Sequence, residues 1–147
     1  MFELKDDTSS LVIKIEGYIK EENRTEEDGW PGFYSKVTTP LFSFETRLSD
    51  IMNSEVDIIK DMLKELLDGS SNEIKYFEVL DEAFNMVIYP KGRFYGKVYD
   101  SNNQLLEVKE IELSIRIPNE DYLSSTSVKY LLNEEDIKRL YDYLNNL

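Results

Sequence analysis

The stretch from Ser54 to Leu67 constrains this chain most. Val56, Ile59, Met62, Leu63, Leu66 and Leu67 recur at spacings of three and four, a period that lays them along one face of an α-helix. A helix with one apolar stripe needs cover, so strands elsewhere in the chain are expected to pack on it. Ser54-Glu55-Val56-Asp57 reads as its start, a hydroxyl for the unpaired backbone N–H groups with acids in the first turn, where the helix dipole favours them. Asp68-Gly69-Ser70-Ser71-Asn72 ends it. A start as early as Ser49 would carry Glu55 into the apolar face, whereas in the first turn its carboxylate can reach water. Residues 49–53 stay open between strand and helix.

The other face of this helix is acidic. Asp57, Asp61, Glu65 and Asp68 follow one another at spacings of four, four and three, which makes four carboxylates neighbours on the helix surface. Like charges so placed repel by about 0.2–0.5 kcal/mol per pair, and Lys60 and Lys64 flank the row. It reads either as a solvated face of an acidic protein or as a stripe that meets a partner.

Period-two alternation supplies the strands. Leu11, Ile13, Ile15, Gly17 and Ile19 share one parity, with Phe2 and Leu4 across the turn at Asp6-Asp7-Thr8-Ser9-Ser10. Residues 33–38, 41–48, 74–80, 84–89 and 93–99 follow, with Phe42, Phe44 and Leu48 on one side of the second of these. Leu106 and Val108 have the opposite parity to Ile111, Leu113, Ile115 and Ile117, which a bulge near Lys109 and Glu110 reconciles. Glu112, Ser114 and Arg116 give the latter strand one wet face. Residues 126–132 add a last strand. Asn133 then caps a helix with Glu134, Glu135 and Asp136 in its first turn and Ile137, Leu140, Tyr141, Leu144 and Leu147 as its stripe. The fold class is α+β: a mainly antiparallel sheet of about six to eight strands, a central helix over about 54–67 and a short C-terminal helix over about 134–146, in a single domain spanning 1–147.

Chemistry is limited by what is missing. There is no histidine and no cysteine in the sequence, so no Ser-His-Asp triad, Cys-His pair or His/Cys zinc site can be built. No catalytic residue, cofactor or metal ligand is assigned, and the chain is expected not to be an enzyme. Asp100-Ser101-Asn102-Asn103-Gln104 begins like a calcium loop, but Leu105 and Ile111 stand where glycine and a bidentate glutamate belong. Tyr89-Pro90-Lys91-Gly92-Arg93 lacks the spacing of a phosphate-cradling loop and reads as a turn. A pair of acids of the glycosidase kind has no motif behind it.

Charge and aromatic residues point to a protein partner. With 30 acidic against 17 basic residues, the formal net charge is -13, which disfavours nucleic acid and anionic membranes and attracts a basic protein. No apolar run is long enough for a membrane helix, and Met1-Phe2-Glu3-Leu4-Lys5-Asp6-Asp7 reads as neither a basic leader nor an apolar signal core, so a cytoplasmic protein is expected. Residues 21–29 form a polar, acidic loop, the least ordered part by composition. It leads into Trp30, the only tryptophan, whose indole either folds back over the core edge, the favoured reading, or is displayed to a partner. Tyr95 and Tyr99 share a parity with Lys97 on the solvated side of their strand, for an interface or for cross-strand packing.

Asp28-Gly29-Trp30 followed by strands, Phe42-Ser43-Phe44 running into the leucine-rich helix that ends Leu66-Leu67-Asp68-Gly69, and then Tyr76-Phe77-Glu78 and Phe84-Asn85-Met86 resemble WapI-type immunity proteins. Ile111-Glu112-Leu113-Ser114-Ile115 and the terminal helix extend the resemblance over most of the chain as an order of elements, while Trp30-Pro31-Gly32 departs from it. The resemblance implies a non-catalytic protein that binds and neutralises the toxic C-terminal domain of a wall-associated polymorphic toxin, often a nuclease. Asp57, Asp61, Glu65, Asp68, Trp30, Tyr95 and Tyr99 are the expected contact residues. The alternatives are an adaptor using the face that carries Tyr95, Lys97 and Tyr99, and a carboxylate-based hydrolase.

Overall fold

In a computed structural model, which describes residues 1–80, 83–93, 99–104, 108–118 and 125–147, the chain is an α+β protein with eight described strands and two α-helices. The strands form two four-stranded antiparallel sheets rather than one continuous sheet. The first is a meander of β1 (Phe2–Lys5), β2 (Ser10–Glu16), β3 (Gly32–Thr38) and β4 (Ser43–Asp50). Helix α1 (Asn53–Asp68) carries the chain away from it. The second meander is β5 (Lys75–Glu78), β6 (Phe84–Tyr89), β7 (Glu110–Pro118) and β8 (Ser125–Leu132). Helix α2 (Glu134–Asn145) follows.

Alternation does what the period of two demands. Leu11, Ile13 and Ile15 are buried, but β2 stops at Glu16 because Gly17 takes a left-handed φ of 80°, so Ile19 lies beyond the strand. In register, Phe77, Met86, Leu113 and Tyr130 form one row of the second sheet, and Met86, Leu113 and Tyr130 are buried. The strand β7 is internal, between β6 and β8. Its expected wet face is not uniformly wet: Ser114 is buried, a small side chain between the longer Asn85 and Lys129 in register on either side. Lys109 precedes β7. The segment 49–53 divides, with Ser49 and Asp50 in β4, Ile51 buried and Asn53 opening α1.

Both sheets and both helices share one core. A void of about 20 Å³ is lined by Ile15 and Phe33 from the first sheet, Ile59 from α1, Met86 and Leu113 from the second sheet, and Leu140 from α2. Phe33 and Phe84 meet across the sheets with ring centroids 4.8 Å apart, within the range where aromatic pairs attract. The expected stripes face this core: Val56, Ile59, Leu63 and Leu66 of α1 and Ile137, Leu140 and Leu144 of α2 are buried.

Helix α1 starts one residue earlier than Ser54 suggests, and without a capping side chain at its N-cap, Met52. Glu55 supplies the cap instead. Its Oε2 accepts from the Met52 N–H at 2.8 Å and its Oε1 from the Leu80 N–H at 2.5 Å. The expectation that Glu55 reaches water is therefore corrected, since at 5% exposure it is buried between the helix start and the chain just beyond β5.

Candidate protein-binding surface

The acidic row of α1 is less available than its spacing suggests. Asp57 accepts from the Tyr18 hydroxyl at 2.6 Å and pairs with the Arg24 guanidinium at 2.6 Å. Glu65 pairs with Lys75, and Asp68 accepts from the backbone N–H and hydroxyl of Ser70, which draws its pKa down. Asp61 is exposed. The helix geometry brings the four carboxylates along one face as expected, but three of them hold neighbouring parts of the chain.

Asp57 is the centre of a half-buried polar cluster. Burial and the hydrogen bond to Asp57 push the Tyr18 phenol up to about 12. The Lys60 ammonium lies 5.1 Å and the Arg24 guanidinium 5.7 Å from the Tyr18 ring centroid, distances at which a cation is attracted to a ring face. Arg24 donates through Nε to the Ile19 carbonyl at 2.8 Å, and the Ile19 N–H donates to Asn53 Oδ1 at 2.8 Å. Sequence reasoning passed over Tyr18 and Arg24. The available signal was Arg24 itself, a basic residue among Glu21, Glu22, Glu26, Glu27 and Asp28.

That cluster orders the loop that composition marked as least ordered. Glu21–Asn23 forms a 3-10 turn, and the Thr25 N–H donates to Asp28 Oδ2 at 2.5 Å. At the loop's far end the Ile51 N–H donates to the Pro31 carbonyl at 3.0 Å. Trp30 is not folded over the core edge, the reading favoured from sequence. It is 56% exposed and borders a shallow cleft with Met52, Asn53 and Ser54.

The tyrosine face is described only in part. Tyr95, Lys97, Leu106 and the side chain of Leu48 lie outside the described residues, as does most of the expected strand 93–99. Tyr99 is exposed and lies outside the eight strands. On the second sheet Tyr76, Val87, Glu112 and Leu131 stand in one row, with Tyr76 and Leu131 exposed.

The near-motifs are turns. Asp100 Oδ1 accepts from the N–H groups of Asn102 and Gln104 at 2.8 and 2.9 Å, a self-contained aspartate turn. The Gly92 N–H donates to the Tyr89 carbonyl at 3.2 Å, with Gly92 at φ 75°. A groove between the β1–β2 turn and β8 contains two carboxylates, Asp6 and Asp136. Asp6 accepts from the Thr8 N–H and from the N–H and hydroxyl of Ser9, which hold its pKa down at about 2. Asp136 accepts from the Asn133 N–H and from Arg139. A general acid for glycoside hydrolysis needs a raised pKa, opposite to that of Asp6.

Among the described residues no group of three or more aspartates and glutamates is placed to hold a metal ion, and no helix is long and apolar enough to cross a membrane. The chain matches no protein-family model and no curated protein. It is similar to a solved structure, that of WHY3 from Arabidopsis thaliana, with 11% identity and a TM-score of 0.46 over 98% of this chain and 83% of that one. A superposition that loose transfers neither a function nor a binding surface.

Proposed function

We propose that the protein is a non-catalytic immunity protein that sequesters a basic toxin domain, a nuclease being the chemistry that suits it best. The supporting observation is the charge: a chain of 147 residues with a formal net charge of -13 is steered toward a cationic surface and away from polyanions. A nuclease displays such a surface because it must hold phosphates, and carboxylates laid over it compete with substrate. The order of elements that resembles WapI-type immunity proteins agrees with this reading. The activity needs no proton transfer or nucleophile from this chain, only contact area and complementary charge.

Co-expression with the toxin C-terminal domain encoded immediately upstream tests the reading. Restored growth and co-purification of the two chains are expected. Unrelieved toxicity without a complex, or the absence of any such domain beside the gene, overturns it.

A further inference from the structure

The acidic row and the Trp30 loop are not equivalent binding surfaces. On α1, Asp57, Glu65 and Asp68 are engaged within the chain. The loop is held from beneath at three points: Ile19 on Asn53, Arg24 on Asp57, and Ile51 on Pro31. What it presents outward is the Trp30 indole, 56% exposed, with the exposed Glu26 and Glu27 a few residues before it.

An indole carried on a clamped loop brings contact area with little backbone freedom left to lose on binding, and tryptophan is among the residues enriched where interfaces hold most strongly. Its ring face attracts cations, guanidinium above all. Residues 20–30 carry five acids against Lys20 and Arg24, and Asp57 neutralises Arg24. The occupant that suits an exposed indole beside a net negative loop is therefore a cationic side chain, while anionic lipid and nucleic acid are repelled.

We propose that Trp30, with Glu26 and Glu27, is the docking point for an arginine or lysine side chain projecting from the protein partner, and that Tyr18, Arg24 and Asp57 are positioning residues that hold the loop in its binding form. This rests on the basic-partner reading above. It moves the main contact from the outer face of α1 to the loop beside its first turn.

Calorimetric titration of the upstream toxin domain into the full chain separates the possibilities. Trp30→Ala is expected to weaken binding about thirtyfold or more. Glu26→Lys/Glu27→Lys should weaken it most at low salt, and Asp61→Lys should stay within about threefold of wild type. Unfolding midpoints near wild type check that the variants fold. If Trp30→Ala and the double reversal bind like wild type, the docking proposal is overturned and the immunity reading stands; if wild type itself forms no complex, both fall. Trp30 is the only tryptophan, so its fluorescence anisotropy in the free protein reports on the clamp. Asp57→Ala should lower that anisotropy and weaken toxin binding together. Unchanged anisotropy overturns the positioning role.

Discussion

At the start of α2 every capping bond closes within four residues, whereas at the start of α1 the cap reaches across the fold. Asn133 Oδ1 accepts from the Asp136 N–H at 3.0 Å, Asp136 answers the Asn133 N–H at 3.4 Å, and the Ile137 N–H donates to the Asn133 carbonyl at 2.9 Å. Helix α1 has Met52 at its N-cap and relies on buried Glu55, one of whose oxygens holds the Leu80 N–H, 25 residues away. The first device is complete in any chain that contains the local sequence. The second exists only when β5 is already in place. Two helices of similar amphipathic pattern thus begin by different physics, and the tertiary start sits beside the loop that displays Trp30.

The sharpest way to break the comparison is Glu55→Ala. It removes a charged acceptor from two backbone N–H groups and should destabilise the protein by about 2–4 kcal/mol, read as a lower urea midpoint. Asn133→Ala removes the local cap and should cost about 1 kcal/mol; a loss as large as that of Glu55→Ala would erase the distinction.

Smaller effects sharpen the same contrast. The Tyr18 phenol is held at about 12 by burial and by Asp57, above the unfolded value near 10. Its stabilisation is therefore fully present below about pH 10 and is lost as the pH rises toward 12. Tyr18→Phe should be less stable at neutral pH and flatter across that alkaline window in a thermal melt. The least effect is expected at the other end of α1. There Gly69 terminates the helix at φ 80° and the Ser71 N–H donates to the Glu65 carbonyl at 3.0 Å, while the Ser71 hydroxyl is buried without a partner among the described residues. Ser71→Ala should leave the melting temperature unchanged or raise it slightly, because an unsatisfied buried hydroxyl is removed.

The same split between local and distant causes explains what was legible in the sequence. The apolar stripes of both helices, the alternation of β2 and the Asn133 cap depend on neighbours within a turn or two, and residue spacing reveals them. The division of the strands into two sheets depends on which strands pair, and no local pattern encodes that. Glu55 was recognisable as awkward, yet its partner Leu80 was not. The carboxylates of α1 were placed correctly on one face, but Lys75 and Arg24, which engage two of them, come from other segments. Trp30 departs from its expected place because burial is the usual fate of an indole, whereas the contacts that hold its loop come from Asn53, Asp57 and Ile51, more than twenty residues further along the chain.

Three contacts made by the C-terminal part of the chain reach back to its first strands. The Tyr130 hydroxyl donates to the Ser10 carbonyl at 3.1 Å, the Tyr143 hydroxyl accepts from the Ile15 N–H at 2.8 Å, and Arg139 donates to the Glu3 carbonyl at 2.6 Å. For a chain emerging from the ribosome this sets an order of events. The first meander is synthesised early and its inner face meets Ile59 of α1 and Phe84 of β6, but its bonds to Tyr130, Arg139 and Tyr143 form only once β8 and α2 have been made. A chain cut short before α2 leaves the Ile15 N–H and the Glu3 carbonyl without the side chains that bind them in the complete fold.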